Sequence, residues 1–372
     1  MSSSLLTSRD FKLGLFSPNC SGGLAITTVA DRWGASWADN LALARLADDA
    51  GLDFLLPIAR FIGYPGSSGF HESVLEPVPW AAGLLAATRR ITVFATVHTA
   101  FNHPVVSAKQ LATLDHVGQG RAGLNVVAGW NEPEYRAMGL ELPESHDDRY
   151  ALAQEWWDHV HALWTREGRF DLPGRFFDLH GVESSPKPVN GTLPLLNAGS
   201  SPQGRAFAAR NADFVFTALS DLDHGAQVVA ELRADARGRY GRDVGVMAPA
   251  FVVCRRTRAE AEEFLHHYAE ENADWEAVDE LMRLQGMYAQ SFANDIMDTL
   301  RTRFAAGHGT CPLIGTPQEI ADEIERYANA GLAGMSLAFL DYLGELEDFA
   351  AEVLPRLEAK GIRSPAAERV SS

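Results

Sequence analysis

Asn125 stands inside an apolar run, Leu124-Asn125-Val126-Val127, where a buried amide must find a hydrogen-bond partner. That partner is either neighbouring backbone or the polar edge of a ring cofactor. Other polar side chains follow apolar runs in the same way. Ala59-Arg60 follows Phe54-Leu55-Leu56, and His98-Thr99 follows the run from Ile91 to Val97. Asn197-Ala198-Gly199-Ser200-Ser201, with Gly204 close behind, joins an apolar run to a helix start. Small residues there admit a ligand to the backbone, and hydroxyls with free N–H groups at a helix N-terminus make an anion site suited to phosphate. The alternative is an ordinary turn with a serine cap. Arg149-Tyr150 offers a forked guanidinium and a phenol to the same phosphate; the alternative is a solvated helix start.

Other chemistries lack their residues. None of the 12 histidines forms a helical pair with a nearby acid at zinc spacing, so no metal is expected. No Gly-x-Ser-x-Gly elbow supports a serine hydrolase. No Walker loop is present, and Gly118-Gln119-Gly120 runs into Arg121 and a strand, unlike a dinucleotide fingerprint. Against 49 acidic side chains there are 32 basic ones, a net charge of −17, which disfavours nucleic acid and anionic membranes as partners. No apolar stretch reaches the length of a spanning helix. The first residues show no basic-then-apolar pattern, so no signal peptide is expected. Cys20, Cys254 and Cys311 are far apart and fit a reducing cytoplasm.

The elements that must position these residues alternate. Strands are expected at Phe11–Phe16, Phe54–Leu56, Ile91–Val97, Leu124–Val127, Leu193–Asn197, Phe214–Thr217, Val244–Cys254 and Met335–Leu340. Helical spacing recurs between them: Leu43 to Ala50 with Gly51 as C-cap, Trp80–Thr88, Val105–Val117, a helix from a Ser145/Asp148 capping box with Trp156 and Trp164 on its core face, and one from Thr316-Pro317. A last helix carries Leu346, Phe349, Val353 and Leu357. Eight strand–helix pairs predict a (β/α)8 TIM barrel, and chemistry then belongs at the C-terminal ends of its strands. The 372 residues read as one such domain. Residues 166–192 form an irregular excursion, and 264–312 a helical insertion resembling a lid.

Taken in order, several stretches resemble the bacterial-luciferase-like flavin monooxygenases. They are Leu111-Ala112-Thr113-Leu114-Asp115-His116 with Gly120-Arg121, Asn125 to Trp130, Glu134-Tyr135, Met138-Gly139, His146 to Tyr150, Asn197 to Ser201, Ala208 to Asp213 and Gly315-Thr316-Pro317. Within that family the chain looks most like the branch of pyrimidine and dimethyl sulfone monooxygenases. Ser17 to Gly23 and His71 to Val74 resemble the sulfone enzymes; Ala95-Thr96, Thr99 and Trp130 resemble the pyrimidine enzyme. Arg60 departs from the lysine of the pyrimidine enzyme, and His98 from a small residue there.

The resemblance implies a two-component enzyme. Reduced FMN, made from NAD(P)H by a separate flavin reductase, reacts with O2, and a flavin peroxide oxygenates a small sulfone, sulfonate, cyclic amide or related compound. It implies that Ala59 and Arg60 line the flavin ring, Asn125 bonds its polar edge and Glu134 lies near the ribityl chain. Arg149, Tyr150, Ser200 and Ser201 would hold the phosphate. Thr99, Asn125 and Trp130 would surround the oxygen pocket. Apart from the resemblance, His71 and His98 are expected to touch substrate and transfer a proton, since imidazole titrates near neutral pH; the alternative for His71 is a turn residue. A homodimer or tetramer is implied as well. Two rival readings stay open: a deazaflavin-dependent dehydrogenase on the same barrel, and a non-catalytic flavin-binding barrel.

Overall fold

In a computed structural model, residues 4–365 are described except 144, 200, 220–221 and 288–293. Their strands are β1 Lys12–Phe16, β2 Phe54–Leu56, β3 Thr92–His98, β4 Ala122–Val127, β5 Phe170–Leu172, β6 Leu179–Val182, β7 Leu195–Asn197, β8 Phe214–Phe216, β9 Gly245–Cys254, β10 Cys311–Gly315 and β11 Gly334–Ala338. Strands β1, β2, β3, β4, β7, β8, β9 and β11 pair in parallel in that order, and β11 returns to β1. The sheet is a closed eight-stranded barrel ringed by helices. Among the described residues no helix is long and apolar enough to cross a membrane.

Both faces of each barrel strand are covered, which is why the strands read as unbroken apolar runs. Outward residues such as Leu13, Leu15, Leu55, Val93, Val97, Leu124 and Val126 pack with the helices. Inward residues Phe54, Leu56, Phe94, Leu196, Phe214, Phe216 and Met247 fill the barrel, joined by Leu5. Large side chains fit because glycines face them. A Cβ at Gly123 would lie 2.6 Å from the Phe94 ring, and one at Gly14 would lie 2.4 Å from Phe54. Gly123→Ala should therefore overpack the barrel and destabilise it by about 1–3 kcal/mol, read as a lower midpoint in chemical denaturation. An unchanged midpoint would refute that account of the interior.

The period of two then sets the site. Phe94 pairs with Gly123 across β3 and β4, and two residues on Thr96 pairs with Asn125. Both point inward at the C-terminal end, as does His98 after them.

Several expectations need correction. The stretch before the last barrel strand is not all helix. It holds helices Arg258–His266, Trp275–Leu284 and Asn294–Gly307 and a π-helical turn, His267–Glu271, and it ends in β10. That strand was missed because β9 runs for ten residues: its first part pairs with β8, and Ala250 to Cys254 need a second neighbour, which β10 supplies. The excursion at 166–192 contains an antiparallel hairpin, β5 with β6. Ser145 caps its helix through the Asp147 N–H, without a capping box to Asp148. Ala50 is the C-cap of Trp37–Asp49, and Gly51 follows it at φ +77°. The last helix divides at Val353, ahead of Pro355, into Tyr342–Glu352 and Leu354–Ala359; proline at the following turn removes the N–H a continuous helix would use.

Candidate functional site

The orientation of Asn125 follows from proton bookkeeping. The Thr96 hydroxyl donates to the Pro57 carbonyl at 2.6 Å. Its oxygen is then an acceptor, and Asn125 Nδ2 donates to it at 3.1 Å. Asn125 Oδ1 is thus turned inward, buried and without a partner in the chain. A buried carbonyl with no donor is costly, and it fits the imide N–H of a flavin ring.

Beside it lies a buried ion pair. Arg60 follows β2, and its guanidinium stands 3.2 Å from Glu134 Oε1, with side-chain exposures of 4% and 0%. The same oxygen accepts the Phe61 N–H at 2.8 Å, which fixes the loop after β2 against the loop after β4. Arg60 also lies 5.1 Å from the Trp130 ring and 5.4 Å from Tyr64, within reach of cation–π attraction. Arg60 Nε and Glu134 Oε2 remain unpaired and buried. Glu134 thus pairs with Arg60 and keeps one oxygen for a ligand.

A second group forms at the end of β7. Asn197 Nδ2 donates to the Val126 carbonyl and its Oδ1 accepts the Gly199 N–H. The Tyr150 hydroxyl sits over this turn, and burial pushes its phenol up from the ordinary value. A Cβ at Gly199 would stand 2.3 Å from that hydroxyl and 2.6 Å from the Gly204 Cα. Ser201 caps helix Pro202–Asn211, accepting the Gly204 N–H at 3.1 Å. Arg149 donates to the Gly129 carbonyl at 3.2 Å and keeps Nε buried and unpaired. A helix N-terminus, a small-residue cradle and a guanidinium with a spare N–H together fit a phosphate monoester. Ser200 lies outside the described residues. Gly129 O ties Arg149 to the loop that carries Trp130, so the phosphate group and the Arg60 group belong to one mouth.

The histidines are held neutral. His71 Nε2 lies 2.8 Å from the Gly23 carbonyl, so it carries the proton, and the buried Nδ1 is a free lone pair. His98 Nε2 lies 3.4 Å from the Ala59 carbonyl, again leaving Nδ1 buried and unpaired. Its ring stacks on Phe101 at 5.1 Å. Burial, and then the Arg60 charge, push His98 down to about 4 and His71 well below 6.5. Both are therefore hydrogen-bond acceptors through Nδ1 at neutral pH. Thr99 is buried at the end of β3, its N–H donating to Val127 O at 3.0 Å.

The sequence reading gave Thr96 no place in the site and left Phe101 and His308 unnamed. Thr96 was findable, since strand periodicity puts it on the face of Asn125. Phe101, the stacking partner of His98, follows that strand. His308 carries no local signal: it reaches the site from the insertion, its ring 6.5 Å from that of His71. Its Nε2 is buried and unpaired, and burial and Arg60 hold it at about 4.

These depressed values fix a pH dependence. Unfolded histidines titrate near 6.5, and His98 and His308 titrate at about 4 in the fold. The unfolded chain therefore binds more protons between those limits, and stability rises with pH across them. Their contribution is fully present above pH 6.5 and is lost as pH falls toward 4. Denaturation midpoints should drop between pH 7 and pH 5, and His98→Phe should flatten the drop; equal midpoints in the wild type would contradict the assignment.

Among the described residues no cluster of three or more His, Cys, Asp or Glu can hold a metal ion. A cleft of about 1110 Å³ lies elsewhere on the rim, lined by Cys254, Arg255, Glu260, His267, Asp341 and Asp348 among others. It holds none of the candidate catalytic or cofactor-binding residues. Arg255 and Glu345 pair there at 2.8 Å.

A family model described as luciferase-like monooxygenase matches residues 11–334. The pyrimidine monooxygenase RutA of Allorhizobium ampelinum is 31% identical over 363 residues, covering 94% of this chain and 96% of that one. An FMNH(2)-dependent dimethylsulfone monooxygenase of Pseudomonas fluorescens is 32% identical over 372 residues, covering 96% and 98%. Among solved structures, riboflavin lyase RcaE with modified FMN and riboflavin superposes with a TM-score of 0.85 at 25% identity, over 95% of this chain and 93% of that one. DmoA from Hyphomicrobium sulfonivorans shares the fold, with a TM-score of 0.80 at 21% identity, over 95% and 89%.

Proposed function

The chain belongs to the luciferase-like monooxygenase family, and from that premise we propose that it is the oxygenating component of a two-component, FMNH2-dependent monooxygenase acting on a small organic substrate. The observation that carries the flavin part is Asn125 Oδ1, buried, unpartnered and fixed in orientation by Thr96. Reduced FMN, when bound, supplies the electrons that activate O2. The chain's own residues bind, orient and keep water out.

Arg149, Tyr150, Ser201 and the N-terminus of Pro202–Asn211 would hold the phosphate, with Ser200 beside them. Asn125 would accept the ring imide N–H. Ala59 and Arg60 would line the ring, with Arg60 kept charged and in place by Glu134, whose free oxygen would meet the ribityl hydroxyls. Thr99 and Trp130 would border the space for O2. His71 and His98 would accept hydrogen bonds from substrate through Nδ1, and would take up a proton only as weak bases. The insertion at 264–312 would shield the centre from bulk water. Sulfones, sulfonates and cyclic amides are the substrate classes we would screen.

The reduced flavin would come from an NAD(P)H:flavin reductase, by diffusion or transient contact. Free Cys20, Cys254 and Cys311 support a cytoplasmic setting. A homodimer or tetramer is supported by helix Pro77–Ala87, which has no charged residue, and by exposed Trp37 and Val106 on the helices flanking it; sedimentation of a monomer at micromolar concentration would refute this. Anaerobic titration tests the cofactor. Reduced FMN should bind more tightly than reduced riboflavin, since the phosphate cradle acts only on the former. Equal affinity would refute the phosphate cradle, and tighter binding of a deazaflavin would move the assignment to a hydride-transferring dehydrogenase.

A further inference from the structure

The segments after β1 and β2 and the inserted helices form one layer over the barrel mouth, with its own core of Ile26, Tyr64, Phe70, Tyr268, Leu281, Phe304 and neighbours. One buried residue, Asp274, ties all three together, its carboxylate reaching two of them and its backbone N–H the third. Asp274 Oδ2 accepts the Ser68 N–H at 2.7 Å, from the loop after β2. Its Oδ1 accepts the Ala277 N–H at 3.4 Å, as the N-cap of Trp275–Leu284. Its own N–H donates to the Ile26 carbonyl at 3.1 Å, next to an antiparallel bridge between Thr27 and Ala273. Gly66, at φ +103°, brings the loop so close that a Cβ would lie 2.3 Å from Asp274 Oδ1. Helix capping alone needs only one acceptor, and Ser or Thr would serve. The second carboxylate oxygen is what reaches the loop.

That loop carries Tyr64 and His71, and Phe70 stacks on the His71 ring at 3.9 Å. Helix Asn294–Gly307, in the same insertion, leads directly into His308, which faces His71. We infer that Asp274 is a positioning residue for the reacting centre. It fastens the loop bearing Tyr64 and His71 to Trp275–Leu284, which packs on Asn294–Gly307 ahead of His308, so these two helices are a fixed cap and not a swinging lid. The inference rests on the reading above that the groups around Arg60 border the substrate space.

Amide hydrogen exchange on the full chain, with imidazole titrations followed by NMR, tests it. Asp274→Ala should speed exchange at least tenfold in 64–73 and at the start of Trp275–Leu284, and leave β1 to β4 protected. His71 should then titrate closer to an ordinary imidazole, while Arg60, Tyr64 and His308, the polar groups around it, are chemically unchanged. His98, which hangs from Ala59, should keep its low value. Asp274→Asn, with one carbonyl oxygen left, should recover part of the protection. Unchanged exchange in 64–73, exchange raised equally throughout the barrel, or an unmoved His71 titration would overturn the inference. If the Ala variant does not fold, Gly66→Ala presses on the same contact from the other side and must give the same local pattern. Wild-type FMN binding is measured in the same samples. The expected pattern in a protein that binds no FMN supports the clasp and counts against the flavin reading alone.

Discussion

Glu134→Ala should lower the stability of the protein by about 3–5 kcal/mol, the cost typical of stranding one partner of a buried ion pair. Arg60 and Glu134 are almost wholly enclosed, and no other carboxylate is recorded against Arg60 among the described residues. Removing the carboxylate leaves a buried guanidinium without its counter-charge, between the Trp130 and Tyr64 rings. It also strands the Phe61 N–H. The double variant Arg60→Met/Glu134→Ala should be more stable than Glu134→Ala alone, because the uncompensated charge is gone; double-mutant coupling then measures the pair. Urea denaturation reads both. A loss below about 1 kcal/mol, the scale of an exposed salt bridge, would show that water reaches the pair.

The largest functional effect is expected at Arg149. Replacing it by Ala should weaken FMN binding about 10- to 150-fold, the equivalent of the roughly 1.5–3 kcal/mol assigned to a hydrogen bond with a charged group. Riboflavin, which lacks the phosphate, should bind wild type and variant alike. This control separates loss of a phosphate contact from collapse of the mouth, since Arg149 also holds the Gly129 carbonyl. Equal weakening for FMN and riboflavin would place the phosphate elsewhere.

The fold was legible because a barrel with both strand faces buried writes its strands as apolar runs, and crossover helices separate them. Phe54–Leu56 is bounded in the structure as expected. What escaped was β10, whose partner is the second half of an unusually long β9; nothing local marks a strand whose reason to exist lies sixty residues upstream. The site divides in the same way. Asn125 sits inside a strand, Arg60 after one, and Arg149 and Ser201 at helix starts, and all four were visible from that placement. The Asp274 clasp and His308 were not, because they meet the site through loops that sequence periodicity does not place. The acid–base state of His71 and His98 was hidden too. Their type points to titration near neutrality, but burial beside Arg60 removes it.

If this chain transfers an atom of O2 to an organic substrate using reduced FMN, oxygen from O2 must appear in its product. The most direct measurement combines the protein, FMN, a flavin reductase, NADH and isotopically labelled O2 with a panel of sulfones, sulfonates and cyclic amides, read by mass spectrometry. The account predicts one product carrying a single labelled oxygen, dependent on both FMN and the reductase. A product formed without labelled oxygen, or turnover that persists anaerobically with a deazaflavin, would contradict it.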